Sequence, residues 1–142
     1  MGRICLGGDA VGRQDRVSTL EKLPLISVID DDGDVRISLG ELLESFGYRV
    51  ALYPDADSFL REMRPERCSC VVSDVQMPGT SGLQLASRLA EADRRPPIIL
   101  ISAHMTEMLE SQCRNSGAAY VLAKPLDPLQ LETILKDILG KA

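Results

Sequence analysis

Short apolar runs alternate with amphipathic segments from about residue 24 to the end of the chain. The runs predict five strands, near residues 25–29, 49–53, 68–73, 98–101 and 119–122. Between them, apolar residues recur with a helical spacing, as in Val35, Leu39, Leu42, Leu43 and Phe46. This spacing predicts helices after Gly33 and near residues 56–63, 82–92 and 106–115, and a last helix whose apolar stripe runs from Leu131 to Leu139. Strands that alternate with helices are typical of a doubly wound α/β fold with a parallel sheet.

Glycines mark two of the predicted helix ends. Gly47 follows the first helix and Gly117 follows the fourth, and glycine is the residue that most readily ends a helix in a left-handed conformation. Two residues of the fourth helix, Met108 and Cys113, are predicted to pack inward. The domain is therefore predicted to span residues 23–142, with residues 1–22, which lack a sustained period, as a disordered N-terminal extension.

Four of the predicted strands end in a chemically useful residue. These residues are Asp30 and Asp31 after the first strand, Asp74 after the third, Ser102 after the fourth and Lys124 after the fifth. Right-handed crossovers bring the carboxyl ends of parallel strands to one edge of the sheet, where ligands bind. Three carboxylates there would repel, each pair by about 4 kcal/mol at 4 Å and an effective dielectric of about 20. The cluster therefore requires a cation, and an all-oxygen site suits Mg²⁺.

The same residues provide the parts of a phosphoryl acceptor. A carboxylate can attack phosphorus and form an acyl phosphate, while positioned donors hold the phosphoryl oxygens. Ser102 offers a hydroxyl group for this purpose and Lys124 an ammonium group.

Composition narrows the classes of partner. The 142 residues carry a formal net charge of -5 and only 4% aromatic residues, so the chain has neither the basic surface nor the stacking platform of a nucleic-acid-binding protein. No apolar run approaches the roughly 20 residues of a membrane span. Four cysteines and a single histidine lack the spacing of a zinc site. We therefore predict a cytoplasmic protein with reduced thiols and no membrane or direct nucleic-acid partner.

The ordered motifs resemble those of the receiver domain of two-component response regulators. The matching segments are residues 28–32 (VIDDD), residues 73–79 (SDVQMPG) with Gly82, residues 99–103 (ILISA), and Gly117-Ala118 with Lys124-Pro125. They cover the chain from about residue 24 to 140. The resemblance implies a flavodoxin-like fold with five helices and a five-stranded sheet of order 2-1-3-4-5.

The resemblance also implies a role for each site residue. Asp74 would be the phosphoacceptor, and Asp30, Asp31, Asp74 and the backbone carbonyl of Gln76 would bind Mg²⁺. Ser102 would turn toward the phosphoryl group and Lys124 would pair with it. A cis peptide bond is implied before Pro125. The phosphoryl donor would be a sensor histidine kinase or a phosphotransfer protein, and the phosphorylated chain would alter its binding to a downstream protein.

One position departs from the family pattern. The family usually has an aromatic residue three positions before the lysine, where this chain has Val121, and Tyr120 lies one position earlier. The family also implies that Gln76 and His104 influence how water reaches the acyl phosphate. His104, the only histidine, could equally be a loop residue without a function.

The sequence is compatible with three interpretations of function. A phosphoacceptor that is at most self-phosphorylating and self-dephosphorylating, and not an enzyme, is favoured, as a single-domain regulator or as a receiver fragment of a longer transcriptional regulator. The segment Asp30-Asp31-Asp32 also resembles the opening motif of haloacid-dehalogenase-type phosphatases, in which Asp30 would be the nucleophile and Asp32 the acid/base. The alternative for Asp32 is a purely structural one, in which it is a solvated carboxylate at a helix start. A degenerate receiver that binds partners without phosphorylation is the third possibility.

Overall fold

The computed structural model describes residues 23–62, 67–92 and 95–140, and within them strands and helices alternate. The strands are β1 (Leu25–Ile29), β2 (Arg49–Tyr53), β3 (Cys70–Asp74), β4 (Ile98–Ser102) and β5 (Tyr120–Ala123). The helices are α1 (Gly33–Ser45), α2 (Ala56–Glu62), α3 (Gly82–Ala90), α4 (Glu107–Asn115) and α5 (Pro128–Leu139). The predicted extension at residues 1–22 lies outside the described residues, so its disorder stays a prediction.

All five strands pair in parallel in one sheet of order β2-β1-β3-β4-β5, which confirms the predicted topology. In the register of the sheet, Ile29 is opposite Ser73 and Asp74 is opposite Ile101. The carboxyl ends of β1, β3 and β4 therefore lie side by side. This alignment brings the residues that follow these strands to one edge of the sheet.

Apolar side chains pack against both faces of the sheet. On one face the strands bury residues of α1 and α5, including Leu39, Leu43, Leu131 and Leu135. The opposite face packs against α2, α3 and α4, where the largest fully buried side chain is Phe59. Strands that are buried on both faces have nearly continuous apolar sequences. This is why the strands of this chain could be recognised as apolar runs without polar alternation.

The structure corrects several bounds of the sequence prediction and the assignment of Met108. β4 ends at Ser102 rather than Ile101, β5 spans Tyr120–Ala123 rather than residues 119–122, and α3 ends at Ala90 rather than at residue 92. β3 begins at Cys70 and includes Asp74, whereas the predicted strand covered residues 68–73. Its ladder extends further because Val75 N–H donates to the Ile101 carbonyl at 2.9 Å. Met108 is not a packing residue, because 74% of it is exposed. It lies five positions before the buried Cys113, and five residues of an α-helix turn the side chain about 140° away.

The predicted helix stops are confirmed. Gly47 follows α1 with φ +99° and Gly117 follows α4 with φ +105°. Only glycine adopts this region of φ without strain.

None of the helices in the described segments is long and apolar enough to cross a membrane. Cys70 and Cys113 are free, buried thiols, and burial raises the pKa of Cys70 to about 12.

Candidate phosphoryl-acceptor site

Three carboxylates meet at the carboxyl edge of the sheet. Asp30 and Asp31 follow β1 and Asp74 is the last residue of β3. One oxygen atom of each carboxylate lies within 4.8 Å of the others. Asp30 is only 1% exposed and Asp74 only 9%, whereas Asp31 is exposed. The cluster therefore has two buried members and one that faces solvent.

Lys124 supplies a positive charge to this cluster. Its Nζ atom lies 3.1 Å from Asp30 Oδ2 and 3.3 Å from Asp74 Oδ2. Burial by itself lowers the pKa of Lys124, but the hydrogen bonds and negative charges of Asp30 and Asp74 outweigh it and the net pKa is raised. Lys124 therefore stays protonated at neutral pH and bridges the two buried carboxylates. The peptide bond between Lys124 and Pro125 is cis, as the resemblance implied.

Asp30 is held on both its side chain and its backbone. The Asp32 N–H donates to Asp30 Oδ1 at 2.9 Å, and Arg36 Nη1 donates to the Asp30 carbonyl oxygen at 2.7 Å. Asp32 itself is the N-cap of α1, because its Oδ1 accepts the N–H groups of Asp34 and Val35. The Asp32 carboxylate is thus bound at the helix start, which agrees with a structural role for this residue rather than a catalytic one.

Asp74 is a carboxylate whose charge is poorly stabilised. Burial raises the pKa of Asp74, and this outweighs the lowering effects of the Gln76 N–H, which donates to Asp74 Oδ1 at 3.2 Å, and of Lys124. The charge of Asp30 raises the pKa further. The fold therefore holds a carboxylate that would be more stable if it were protonated or paired with an additional cation.

Replacing Asp74 by Asn is expected to raise the midpoint of thermal unfolding at pH 7 in the absence of divalent cations. A carboxylate whose pKa is raised on folding destabilises the fold as pH rises from its unfolded value, near 3.8, through the folded value. The isosteric amide removes this cost, so the difference between the two proteins should disappear below about pH 4. Unfolding followed by circular dichroism at several pH values measures it. A lower midpoint for Asp74→Asn at pH 7 would show that the Lys124 ion pair dominates instead.

Ser102 is the last residue of β4, at the same edge of the sheet as this cluster, and His104 lies in the loop that follows. Ser102 is fully buried, one position beyond Ile101, the residue opposite Asp74 in the sheet. Its Oγ accepts the backbone N–H of His104 at 3.1 Å. That bond uses a lone pair of the oxygen and leaves the Ser102 O–H able to donate elsewhere. The His104 side chain is exposed.

The two candidate residues for an aromatic switch are placed differently. Val121 is a half-buried residue of β5 and lies opposite Leu100 of β4. It packs in the apolar cluster shared with α2, α3 and α4. Tyr120 packs against the other cluster, and its hydroxyl donates to Asp137 Oδ2 on α5. The ring of Tyr120 therefore lies on the opposite side of the sheet from the position that Val121 occupies.

The start of α3 is packed directly onto the backbone that carries Asp74. The Gly82 N–H donates to the Val75 carbonyl at 2.9 Å. A Cβ atom on Gly82 would lie 2.4 Å from the Asp74 carbonyl oxygen and 2.9 Å from Val75 Cα. Across the same loop, Thr80 Oγ1 donates to Asp57 Oδ1 of α2 at 2.8 Å. The segment that carries Gln76 is thus fixed at both ends.

The donor set of this cluster fits Mg²⁺. Its donors are carboxylate oxygens, which is the ligand type that Mg²⁺ prefers. Gln76, whose N–H donates to Asp74 Oδ1, would add its backbone carbonyl. Ligands at about 2.0–2.1 Å from an ion lie about 3–4 Å apart, which is compatible with three carboxylate oxygens that all lie within 4.8 Å of one another. Asp30, Asp31, Asp74 and the carbonyl of Gln76 are the groups that could hold the ion.

An open groove of about 580 Å³ adjoins the cluster. Val35, Leu39 and Leu42 of α1 form one wall, and Pro125 and Leu126 after β5 form the other. Lys124 lines the groove and also binds the two buried carboxylates. The groove therefore leads along an apolar surface to the carboxylate cluster.

Two contacts of this site were not predicted from the sequence. The first is the bond from Arg36 to the Asp30 carbonyl, and the second is the close approach of Gly82 to the Asp74 backbone. Gly82 belonged to a recognised motif, but its packing role was not visible there. A signal for Arg36 was available, because a cation in the first turn of a helix opposes the helix dipole and so points to a specific partner.

Comparisons with known proteins identify relatives of the chain. Residues 26–136 match the family model described as the response regulator receiver domain. The chain is 36% identical over 117 residues to the transcriptional regulatory protein FixJ of Bradyrhizobium diazoefficiens, covering 82% of this chain and 57% of FixJ. The chain spans about half the length of the curated relatives it matches.

Solved structures share the fold. A response regulator receiver protein from Burkholderia phymatum is 33% identical with a TM-score of 0.71, covering 84% of this chain and 97% of that one. A putative response regulator from Chloroflexus aurantiacus is 26% identical with a TM-score of 0.78, covering 84% and 99% of the two chains.

Proposed function

The chain belongs to the response regulator receiver domain family, and we propose that it is a phosphorylation switch in which Asp74 accepts a phosphoryl group with the help of Mg²⁺. The observation that carries this proposal is the geometry of the cluster. Three carboxylates of Asp30, Asp31 and Asp74 lie within 4.8 Å of one another, and Lys124 bridges the two buried ones. This arrangement combines a nucleophile, a set of metal ligands and a fixed cation.

The proposed transfer is a displacement at phosphorus. A carboxylate oxygen of Asp74 attacks the phosphorus atom of a phosphohistidine and forms a P–O bond. The P–N bond breaks and its electron pair stays on the imidazole nitrogen. The histidine leaves as neutral imidazole, either because its other ring nitrogen is already protonated in the donor or because the leaving nitrogen takes a proton from solvent. Lys124, 3.3 Å from Asp74 Oδ2, is placed to offset negative charge on the phosphoryl oxygens. When bound, Mg²⁺ would neutralise the carboxylates and hold a phosphoryl oxygen.

Incubation with Mg²⁺ and a small acyl phosphate tests this proposal. The intact mass of the chain should increase by one phosphoryl group, and hydroxylamine should remove that group because it cleaves acyl phosphates. Omission of Mg²⁺ or addition of a chelator should prevent the increase. A chain that never gains the group under these conditions would refute the proposed function and would favour a receiver that binds partners without phosphorylation.

The loop after β4 is the element that would respond to the phosphoryl group. Ser102 has an O–H free to donate to a phosphoryl oxygen, and its Oγ is bonded to the His104 N–H. A movement of Ser102 toward Asp74 would therefore disturb His104 and the loop that leads to Thr106, the N-cap of α4. Because Val121 has no ring and Tyr120 is bonded to Asp137, we assign the output to this loop rather than to a rotating aromatic side chain.

Receiver domains of this family interact with histidine kinases and downstream effectors. For this chain we propose that a helix of the phosphohistidine donor occupies the groove beside α1. Its walls are largely apolar, which suits the apolar face of a helix, and Lys124 at its end contacts the acceptor. A donor seated there would present its phosphoryl group to Asp74.

The variant Ser38→Glu is expected to slow phosphoryl transfer from a protein donor about 10-fold or more. Ser38 is exposed on α1 and lines the groove, so the substitution puts charge and bulk where the donor helix would lie without disturbing the core. The probe is a phosphohistidine protein that labels the wild-type chain, and the rate is followed by loss of its label.

Ser45→Glu is the matched control for this experiment, because Ser45 is exposed on the same helix but does not line the groove. Labelling by a small acyl phosphate should be unchanged in both variants. Equal rates of protein transfer for Ser38→Glu and wild type would place the donor elsewhere.

The identity of the whole protein is a separate proposal. FixJ and several other relatives are transcriptional regulatory proteins of which this chain matches about half. The single-domain regulator therefore stays a prediction beside the receiver of a longer transcriptional regulator, as does the cytoplasmic location. The phosphatase alternative has little support, because Asp32 caps α1 and the family match is to receivers.

A further inference from the structure

Arg36 contacts the acidic cluster through the backbone rather than through a carboxylate. We infer that Arg36 is a positioning residue, which orients the Asp30–Asp31 peptide so that the Asp31 carboxylate is aimed at the metal position. The inference rests on the proposed Mg²⁺ binding of the cluster. Asp31 needs such a positioning residue because its side chain is exposed and is not held in place by packing.

The need for Arg36 arises where β2 ends. The Asp30 N–H donates to the Tyr53 carbonyl at 3.2 Å, and in a continued parallel ladder the Asp30 carbonyl would accept from residue 55. Pro54 follows Tyr53, and Asp55 instead precedes α2, where its Oδ1 accepts the Ser58 N–H at 2.7 Å. Arg36 Nη1 supplies a donor to the Asp30 carbonyl at 2.7 Å.

Fixing this carbonyl also fixes the next residue. The Asp30 carbonyl and the Asp31 N–H belong to one planar peptide group, so the orientation of one sets the orientation of the other. The guanidinium lies against the start of α1, where its Nη2 atom would be 3.5 Å from a Cβ atom on Gly33. Arg36 is half-buried in this position. The two residues after β1 are thus held from the backbone side, while their carboxylates face the cluster.

The sign of a substitution separates positioning from charge. Removing a positive charge near three carboxylates would by itself strengthen the attraction of the cluster for a divalent cation. Removing a group that aligns a metal ligand weakens binding, by about 10-fold or more for groups behind the ligands of known sites. A weaker site in a variant without this charge can therefore not be explained by electrostatics.

The test is titration of the full chain with MgCl₂, followed by calorimetry. Arg36→Met should bind Mg²⁺ about 10-fold more weakly than wild type, whereas Arg36→Lys, which retains a donor and the charge, should recover most of the affinity. In labelling by a small acyl phosphate, Arg36→Met should need about 10-fold more Mg²⁺ for half-maximal rate, with little change at saturating Mg²⁺. A variant that was only less stable would not need more Mg²⁺ for half-maximal rate while keeping its rate at saturating Mg²⁺.

Arg88→Met controls for the change in net charge, because Arg88 is exposed in the last turn of α3. Thermal unfolding without metal identifies any variant that fails to fold. If Arg36→Met does not fold, Arg36→Gln replaces it, because glutamine lacks the charge but keeps an N–H donor. The Mg²⁺ affinity of Arg36→Gln should not exceed that of wild type. Equal or tighter Mg²⁺ binding by Arg36→Met, or tighter binding by Arg36→Gln where it takes that place, would overturn the inference and leave the proposed function intact. Failure of the wild type to bind Mg²⁺ would instead refute the proposed function.

Discussion

Asp74→Asn is expected to abolish the Mg²⁺-dependent gain of a phosphoryl group. The amide has nearly the same shape as the carboxylate but lacks the anionic oxygen that would attack phosphorus, so an acyl phosphate cannot form. The variant should remain folded, because the amide oxygen can still accept the Gln76 N–H that now donates to Asp74 Oδ1. Intact-mass measurement before and after hydroxylamine treatment gives a direct result, and peptide mapping of the wild type should place the group on Asp74.

Asp32→Asn is the matched control for this variant. Asp32 is an exposed neighbour of the cluster that caps α1, and asparagine is an equally good N-cap, so the phosphoryl group should still be gained. The pair also tests the phosphatase alternative. Continuous hydrolysis that survives Asp74→Asn but is lost in Asp30→Asn would contradict the assignment of Asp74 as the acceptor.

Gly82→Ala is expected to destabilise the protein by about 3 kcal/mol and to lower the thermal midpoint by about 10 °C. The added methyl group would lie 2.4 Å from the Asp74 carbonyl oxygen and 2.9 Å from Val75 Cα, and neither backbone atom can move without displacing the end of β3. The start of α3 would have to shift away. Because the displaced backbone carries the acceptor, phosphoryl gain should also slow. Chemical denaturation measures the free energy of unfolding.

Gly40→Ala provides the control, since Gly40 is also a buried helical glycine. Its new Cβ atom would meet only the tip of the Leu52 side chain, at 3.0 Å, and that exposed side chain can rotate away. Alanine also favours the helix by up to about 1 kcal/mol. The variant should therefore be close to wild type in stability. Equal stability of Gly82→Ala and Gly40→Ala would show that α3 is not tightly seated on β3.

The fold could be predicted because its local patterns are strong. The buried parallel strands have apolar sequences on both faces, and β1 and β2 were predicted with the observed bounds. Errors occurred where local pattern and sheet pairing differ, as at β3, whose ladder extends to Asp74. Met108 was misassigned because an apolar residue type was weighed above its angle from Cys113 on the helix.

The site was predictable to the level of which residues share an edge, but not of which atoms meet. Parallel topology alone places Asp30, Asp74 and Lys124 together. It does not specify that Lys124 bridges the other two, or that Arg36 takes the Asp30 carbonyl. These contacts depend on where β2 turns away and on side-chain reach. Both are properties of the folded chain that no spacing in the sequence records.

The two hydrogen bonds that hold α1 at Asp30 distinguish the surface along α1 from the surface around α4. Asp32 at the start of the helix and Arg36 in its first turn both bind Asp30, so two hydrogen bonds tie α1 to the end of β1. The loop after β4 has a looser connection, through the Ser102 bond to His104. An upstream partner that docks along α1 would therefore meet the same surface before and after modification. Only partners that contact the region of α4 would sense the difference, so input recognition and output recognition could evolve independently.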